Sequence, residues 1–168
     1  MKKIAVIAGI AFLIFGVAQL SVKFFAERAQ RQRDEDIAGF TEAIKLKPDS
    51  AEAYYGRGAA RAFSHQYEEA IKDFAKAAEL KPDLVSAYIG RGSAYALKGQ
   101  YDEAIKDHTK ALELGSDRAM GYDLRATDYY KKGLYAKAWD DIGMCRKNGG
   151  TPNADLIEQL AKASGHSG

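Results

Sequence analysis

The chain is similar to itself when it is shifted by 34 residues. Aromatic, basic, small and acidic residues all recur at this interval, and each recurs three times. The recurring residues are Tyr54, Tyr88 and Tyr122; Arg57, Arg91 and Arg125; Tyr67, Tyr101 and Tyr135; Ala70, Ala104 and Ala138; and Asp73, Asp107 and Asp141. So many coincidences at one period predict three copies of one structural unit, stacked so that each copy buries its apolar face against the next.

The period and the residue types resemble the tetratricopeptide repeat, a helix-turn-helix unit. The family pattern is an aromatic residue followed by Leu-Gly and Tyr, then Ala and Phe four residues apart, then Pro. Its equivalents here are Tyr54, Gly58, Ala70, Phe74 and Pro82; Tyr88, Gly92, Tyr95, Ala104 and His108; and Tyr122, Ala126, Tyr129, Ala138 and Ile142. The resemblance covers roughly residues 51–150 and implies an all-α solenoid of helical hairpins.

Seven segments are predicted along the chain. Thr151, with Pro152 at the first helical position, predicts the start of a capping helix that covers the open end of the solenoid. The segments are an apolar anchor or signal segment at 1–23, a linker helix and half repeat at 24–50, repeats at 51–84, 85–118 and 119–152, the capping helix at 153–163 and a disordered tail at 164–168.

Residues 4–22 carry no charge. As a helix they would be about 29 Å long, close to the ~30 Å hydrocarbon core of a bilayer. An uncleaved transmembrane anchor and a secretory signal cleaved near Ala18 both fit, and a buried core helix is a third alternative. Basic residues flank both ends, so charge does not decide the orientation. We expect the repeats on the non-cytoplasmic side of a membrane, which is the periplasm in a bacterium, or secreted there after cleavage.

Composition argues against several function classes. The net charge of +2, with 29% charged residues, lacks the basic excess typical of nucleic-acid binding. Cys145 is the one cysteine, and the three histidines lack metal-ligand spacing. His108 and Cys145 occupy repeat positions that elsewhere hold Phe74 and Ala77, so we expect both in the core. These observations predict no metal, no cofactor and no catalysis.

Each repeat carries an arginine and an aspartate 16 residues apart, which places one on each helix of a hairpin. We interpret these residues as structural ion pairs that fix helix register. An anion-binding arginine stripe is the alternative. The pairs are Arg57 with Asp73, Arg91 with Asp107, and Arg125 with Asp141.

The resemblance also implies a concave surface, lined by the first helix of each repeat, that holds a peptide or a partner helix. By matching positions, its lining is Glu52, Tyr55, Ala59 and Phe63; Ser86, Ile89, Ser93 and Leu97; and Met120, Asp123, Thr127, Tyr130 and Lys131. The Lys and Asn clamp of some chaperone-binding members is replaced here by Tyr55, Ala59, Ile89 and Ser93.

These observations together predict a membrane-tethered adaptor that binds a protein or peptide partner. A first alternative is an exported soluble scaffold, and a second is a homo-oligomer in which another copy of the chain covers this surface. An enzyme is the remaining alternative.

Overall fold

The computed structural model describes the backbone of residues 2–165, and the side chains of residue 20 and residues 23–165. This part of the chain contains helices and no strands, which confirms the predicted all-α class. The helices are α1 (Lys2–Leu46), α2 (Ala51–Phe63), α3 (Tyr67–Leu80), α4 (Val85–Leu97), α5 (Tyr101–Glu113), α6 (Arg118–Lys131), α7 (Tyr135–Lys147) and α8 (Ala154–Ser164).

The helices pack as a solenoid of hairpins. The hairpins are α2 with α3, α4 with α5, and α6 with α7, and the second helix of one also contacts the first helix of the next. In addition, α2 contacts α4 and α4 contacts α6, so the first helices lie side by side. This arrangement gives the solenoid a surface made of first helices alone.

The turn inside each hairpin needs a residue with a left-handed backbone. Gly99 and Gly133 have φ of 75° and 80° in the second and third hairpins. Glycine adopts this conformation without strain because it has no Cβ. In the first hairpin the equivalent residue is His65, with φ of 60°. The Nδ1 atom of His65 lies 2.7 Å from the hydroxyl of Tyr67, which holds this less favourable residue in place.

Small residues let the helices approach closely. Ala70, Ala104 and Ala138 are fully buried within the three hairpins. A Cβ added to Gly58 would lie 2.9 Å from Cε1 of Phe74, and one added to Gly90 would lie 2.8 Å from the same atom. The ring of Phe74 is therefore held between two backbones, and neither position has room for a side chain.

The C-terminal part of α1 acts as the second helix of an incomplete repeat. Its Phe40 ring packs directly on Gly56 of α2, as the ring of Phe74 packs on Gly90. Residues 24–46 of the linker and half repeat predicted at 24–50 are continuous with the residues before them in one helix. Of the predicted anchor, residues 4–22, all except Leu20 lie outside the described side chains. Within the described part, no helix is both long and apolar enough to cross a membrane.

The start of the capping helix differs from the prediction. The N-cap is Asn153, whose Oδ1 accepts hydrogen bonds from the backbone N–H groups of Asp155 (2.9 Å) and Leu156 (3.2 Å). Thr151 is therefore not the cap, and Pro152 is buried before the helix begins. Both Asn and Thr are good N-caps, so the choice depends on where tertiary contacts let the helix start.

Ser164, assigned to the tail predicted at residues 164–168, is helical. Ser164 is the last residue of α8, and Gly165 ends the helix with φ of 71°. The Ser164 hydroxyl donates to the carbonyl oxygen of Leu160 (2.7 Å) and accepts from Nε1 of Trp139 (3.1 Å). These two bonds keep Ser164 in the helix. Residues 166–168 lie outside the described part of the chain.

Candidate functional site

The surface of first helices is most apolar and most exposed over the first two repeats. Phe63 ends α2 with 73% of its area exposed, and Leu97 ends α4 with 64% exposed. The two residues are 34 positions apart, so they occupy the same place on neighbouring helices. Exposed large apolar side chains that recur on adjacent elements form a patch, and such patches mark interaction surfaces. We call Phe63 and Leu97 the apolar rim.

The floor of the surface is only partly accessible. Its predicted residues on α2 and α4 are half-buried: Tyr55, Ala59, Ser86, Ile89 and Ser93. The ring of Tyr55 packs on Phe74, with centroids 5.7 Å apart, and joins the core of the first hairpin. Tyr55 therefore supports the fold as well as lining the surface. At the other end of α2, Glu52 is exposed and accepts from Nζ of Lys81 (3.1 Å).

The capping helix occupies part of the predicted surface in the third repeat. Tyr130 packs beside Tyr135 (centroids 6.0 Å apart) and contacts the apolar cluster that contains Leu156 of α8. Asp123 accepts from the backbone N–H of Asn153 (3.1 Å). These contacts turn the expected open groove into a cleft of about 230 Å³ between α6 and α8. Its lining consists of Thr127, Tyr130, Lys131, Asn153, Asp155, Leu156 and Gln159.

The other predicted residues of the third repeat are held locally or exposed. The hydroxyl of Thr127 donates to the carbonyl oxygen of Asp123 (3.0 Å). The ammonium of Lys131 lies 5.6 Å from the centre of the Tyr130 ring, a cation–π contact. Met120 at the start of α6 is 46% exposed. The structure thus brings the predicted residues onto neighbouring helices but leaves an open surface mainly over the first two repeats.

The three Arg/Asp pairs form with one geometry. Each arginine donates through Nε and Nη2 to both oxygens of its aspartate, at distances between 2.7 and 2.9 Å. The hydrogen bonds that each arginine donates to its aspartate raise the pKa of the guanidinium above its usual value. Tyr54, Tyr88 and Tyr122 lie against the same guanidinium groups, 5.5 to 5.6 Å from the ring centres.

Each of these guanidinium groups is thus paired within its own hairpin, and Asp73 also accepts from Nη1 of Arg61 (2.7 Å). We call each Arg/Asp pair a clip, because it joins the two helices of one hairpin. The bidentate pairing occupies the guanidinium N–H donors that would otherwise bind an anion, so the arrangement favours a structural role over an anion-binding stripe.

In two of the three clips, the arginine also lies near a threonine hydroxyl on the preceding helix. Nη1 of Arg57 lies 3.4 Å from Oγ1 of Thr41, and Nη1 of Arg125 lies 3.0 Å from Oγ1 of Thr109. Thr41 and Thr109 are two repeat periods apart, and the position between them is Ala75. The second repeat therefore lacks this bond, so its clip joins the two helices of its own hairpin and does not reach the preceding repeat.

A buried ionisable pair joins the second repeat to the third. Nδ1 of His108 on α5 lies 2.6 Å from Oδ2 of Asp128 on α6, and the two residues are 1% and 2% exposed. His108 is in the core, as predicted. Asp128 is not singled out by any motif, although one signal exists: the equivalent residues, Ala60 and Ala94, are alanines.

Two forms of this pair compete. If Asp128 is a carboxylate beside a neutral imidazole, the pair carries a buried negative charge. If the pair holds one more proton it is neutral, but Nε2–H of His108 then donates to nothing, since this atom is buried without a partner in the described structure. An unpaired buried N–H costs about 1–3 kcal/mol. An uncompensated buried charge costs about 3–5 kcal/mol. The larger penalty favours the neutral pair.

The environment of Asp128 points the same way. Burial raises the pKa of the Asp128 carboxyl, and the hydrogen bond and charge of His108 only partly oppose this rise. A raised pKa means that folding favours the protonated state. The pair therefore keeps one proton that an unfolded chain would release as the pH rises.

No other chemistry is assembled in the described part of the chain. Within it, no group of three or more His, Cys, Asp or Glu residues could hold a metal ion. Cys145 is buried in α7, and burial raises the pKa of its thiol. A protonated, inaccessible thiol is a poor nucleophile.

The period, the hairpins and the surface of first helices define an all-α solenoid of the tetratricopeptide type. Family models agree: the tetratricopeptide repeat model matches residues 85–117, and a TPR repeat model matches residues 65–99. No curated protein sequence matches the chain.

Several solved structures are similar in fold. A crystal structure of MamA has a TM-score of 0.65 and 25% identity, and the match covers 77% of this chain and 71% of that one. YrrB, described as a TPR protein with an unusual peptide-binding site, has a TM-score of 0.60 and 23% identity over 74% of this chain and 63% of its own. The first TPR of Spaghetti, bound to an HSP90 peptide, has a TM-score of 0.62 and 21% identity over 68% and 90%.

Proposed function

We propose that this protein is an adaptor that binds a peptide or a partner helix on the surface formed by α2 and α4. The observation that carries the proposal is the apolar rim, in which Phe63 and Leu97 are exposed at the same position of neighbouring repeats. A partner that buries both side chains removes a large apolar area from water, at roughly 25 cal/mol per Å². Half-buried Ser93, one turn before Leu97 on α4, offers a hydroxyl to the partner's polar groups.

The similar structures motivate this proposal without supplying its details. Peptide binding is a property named for YrrB and for the Spaghetti repeat, and their likeness to this chain is one of fold. The Lys and Asn clamp expected for a chaperone tail has no counterpart here, since its positions hold Tyr55, Ala59, Ile89 and Ser93. An apolar or amphipathic segment suits this surface better than a C-terminal carboxylate.

We further propose that residues 4–22 tether the adaptor to a membrane, with the repeats on the non-cytoplasmic side. The support is the uncharged sequence of this segment and its length, which suits a bilayer core. The test is the N-terminus of the mature protein and its extraction from membranes with alkaline carbonate. An intact N-terminus in the carbonate-resistant fraction supports the tether. A mature chain that starts at Gln19 supports the cleaved signal instead.

The adaptor proposal is tested by affinity capture of the full-length protein from detergent-solubilised native membranes. The test variant is Phe63→Ser/Leu97→Ser, because both side chains are exposed and their loss spares the core. Tyr55 and Tyr130 are unsuitable targets because both pack in the core. Leu46→Ser is the matched control, since Leu46 is an exposed leucine at the end of α1, away from the surface of first helices.

We expect partners that are retained by the wild type and by Leu46→Ser and are lost from the double variant. Identical partners with all three proteins would show that the apolar rim is not the binding surface. Capture of the bait alone would favour self-assembly of the scaffold, and light scattering of the purified protein would then give the number of copies.

A further inference from the structure

The junction between the second and third repeats differs from the preceding junction at several equivalent positions, and three of them concern the buried pair. Between the first and second repeats, Phe74 packs against Gly90 and shares a core cluster with Ala94. One period later these positions are His108, Leu124 and Asp128. The imidazole is smaller than the phenyl ring, which fits the change from glycine to leucine. An apolar contact has thus become an ionisable one at a single place in the solenoid.

Several charged groups around this junction are paired with one another, and one such pair, Lys132 with Asp102, joins the C-cap of α6 to α5. Arg91 and Asp107 pair where α4 meets α5, Arg125 and Asp141 pair where α6 meets α7, and Glu158 pairs with Lys162 on α8. Within the described part of the chain, the charge that acts on the Asp128 carboxyl comes from His108. Cys145 on α7 stays protonated because burial raises the pKa of its thiol. If the His108–Asp128 pair loses its proton, no nearby positive charge in the described part of the chain therefore compensates the carboxylate.

We propose that the His108–Asp128 pair is a proton-dependent joint: it holds the third repeat and its cap on the second repeat while it keeps its proton, and it releases them when the proton leaves. Loss of the proton leaves one uncompensated negative charge between α5 and α6, which only opening of the junction can expose to water. Because α6 also carries Thr127 and Lys131, opening moves one end of the candidate binding surface away from Leu97.

The sign of the pH dependence follows from counting protons. The folded pair holds one proton because its loss would leave a buried charge, whereas an opened pair is exposed to water and releases the proton at a lower pH than the closed pair. Where the closed state binds one more proton than the open state, the opening constant rises up to about tenfold for each pH unit. The joint is therefore closed while the pair keeps its proton, and it weakens as the pH rises.

The test uses urea unfolding of the full-length protein in a non-ionic detergent, followed by the fluorescence of Trp139. This residue is the single tryptophan of the chain, and it donates to Ser164 of the cap, so it reports on the third repeat. Between pH 6.5 and pH 8.5 we expect the unfolding constant of the wild type to rise by up to about 100-fold.

The matched variant is His108→Phe/Leu124→Gly/Asp128→Ala, which gives these three positions the residues of the preceding junction. We expect its unfolding constant to change less than about threefold over the same range, since it has no proton to lose at the joint. A wild type with no pH dependence, or a variant with the same dependence, would overturn the proposal. If the triple variant does not fold, Asp128→Asn replaces it: this change keeps the shape and removes the carboxyl, and a slope as steep as that of the wild type would be equally contradictory.

Discussion

At the scale of single residues, this solenoid depends on positions where a side chain is absent. Gly92 lies against the imidazole of His108, and a Cβ there would be 2.7 Å from Nε2 and 3.2 Å from Cβ of Asp107. Gly143 on α7 is also helical, but no atom lies within 4 Å of its added Cβ. Two helical glycines of one chain thus differ in what surrounds them, and substitutions there should have opposite effects.

We predict that Gly92→Ala lowers the free energy of unfolding by about 1–3 kcal/mol, the usual cost of overpacking a core. Gly143→Ala should raise it by about 0.5–1 kcal/mol, because alanine loses less backbone entropy than glycine in a helix. Urea denaturation followed by circular dichroism measures both. A neutral Gly92→Ala would mean that α4 and α5 are not as close as the structure shows.

At the scale of elements, the cap α8 depends on how its first turn is satisfied. The side chain of Asn153 accepts two backbone N–H groups of α8, while its own backbone N–H donates to Asp123 of α6. One residue therefore starts the helix and attaches it to the third repeat. Leu156 and Leu160, both buried, then cover the end of the hydrophobic core.

We predict that Asn153→Ala lowers the free energy of unfolding by about 1 kcal/mol, the typical cost of losing an N-cap. The loss should be visible in the fluorescence of Trp139, which contacts the end of α8. Thr151→Ala is the control and should have no effect, since Thr151 is exposed and caps nothing. Equal losses in both variants would restore Thr151 as the cap.

At the scale of the whole molecule, the three Arg/Asp clips give every hairpin the same register. The side chains of Asp73, Asp107 and Asp141 are at most 8% exposed, so each aspartate is compensated by its arginine, and Asp73 by Arg61 as well. A clip adds little net stability when intact, because desolvation offsets the attraction, but its loss leaves a buried charge unpaired. The clips thus act chiefly by disfavouring incorrect packing between helices that have similar sequences.

We predict that Asp141→Asn lowers the free energy of unfolding by about 3–5 kcal/mol, because Arg125 keeps its charge and loses its partner. Asp140→Asn, at the exposed neighbouring position, should change it by less than about 0.5 kcal/mol. Thermal or urea unfolding of the two variants provides the comparison. Similar small effects would show that water reaches the clip in the third hairpin.

The ends of the array and the contents of the junctions could not be predicted from the repeat. Thr151 and Asn153 are both suitable caps on either side of Pro152, and the contact of Asn153 with Asp123 decides between them. Tyr130 has the repeat position of a surface residue, but α8 packs on it. Asp128 is one acidic residue among many until the fold places it beside His108.

The sequence by itself determined the period, the hairpin unit, the residues that pair within each hairpin, and the core role of His108 and Cys145, because equivalent positions of a repeat meet equivalent neighbours. Only the tertiary structure decided which of the predicted surface residues stay open, where the cap begins, and that one junction contains a buried ionisable pair. The physical reason is that periodicity specifies which positions correspond, whereas exposure and proton binding depend on atoms brought together from different helices.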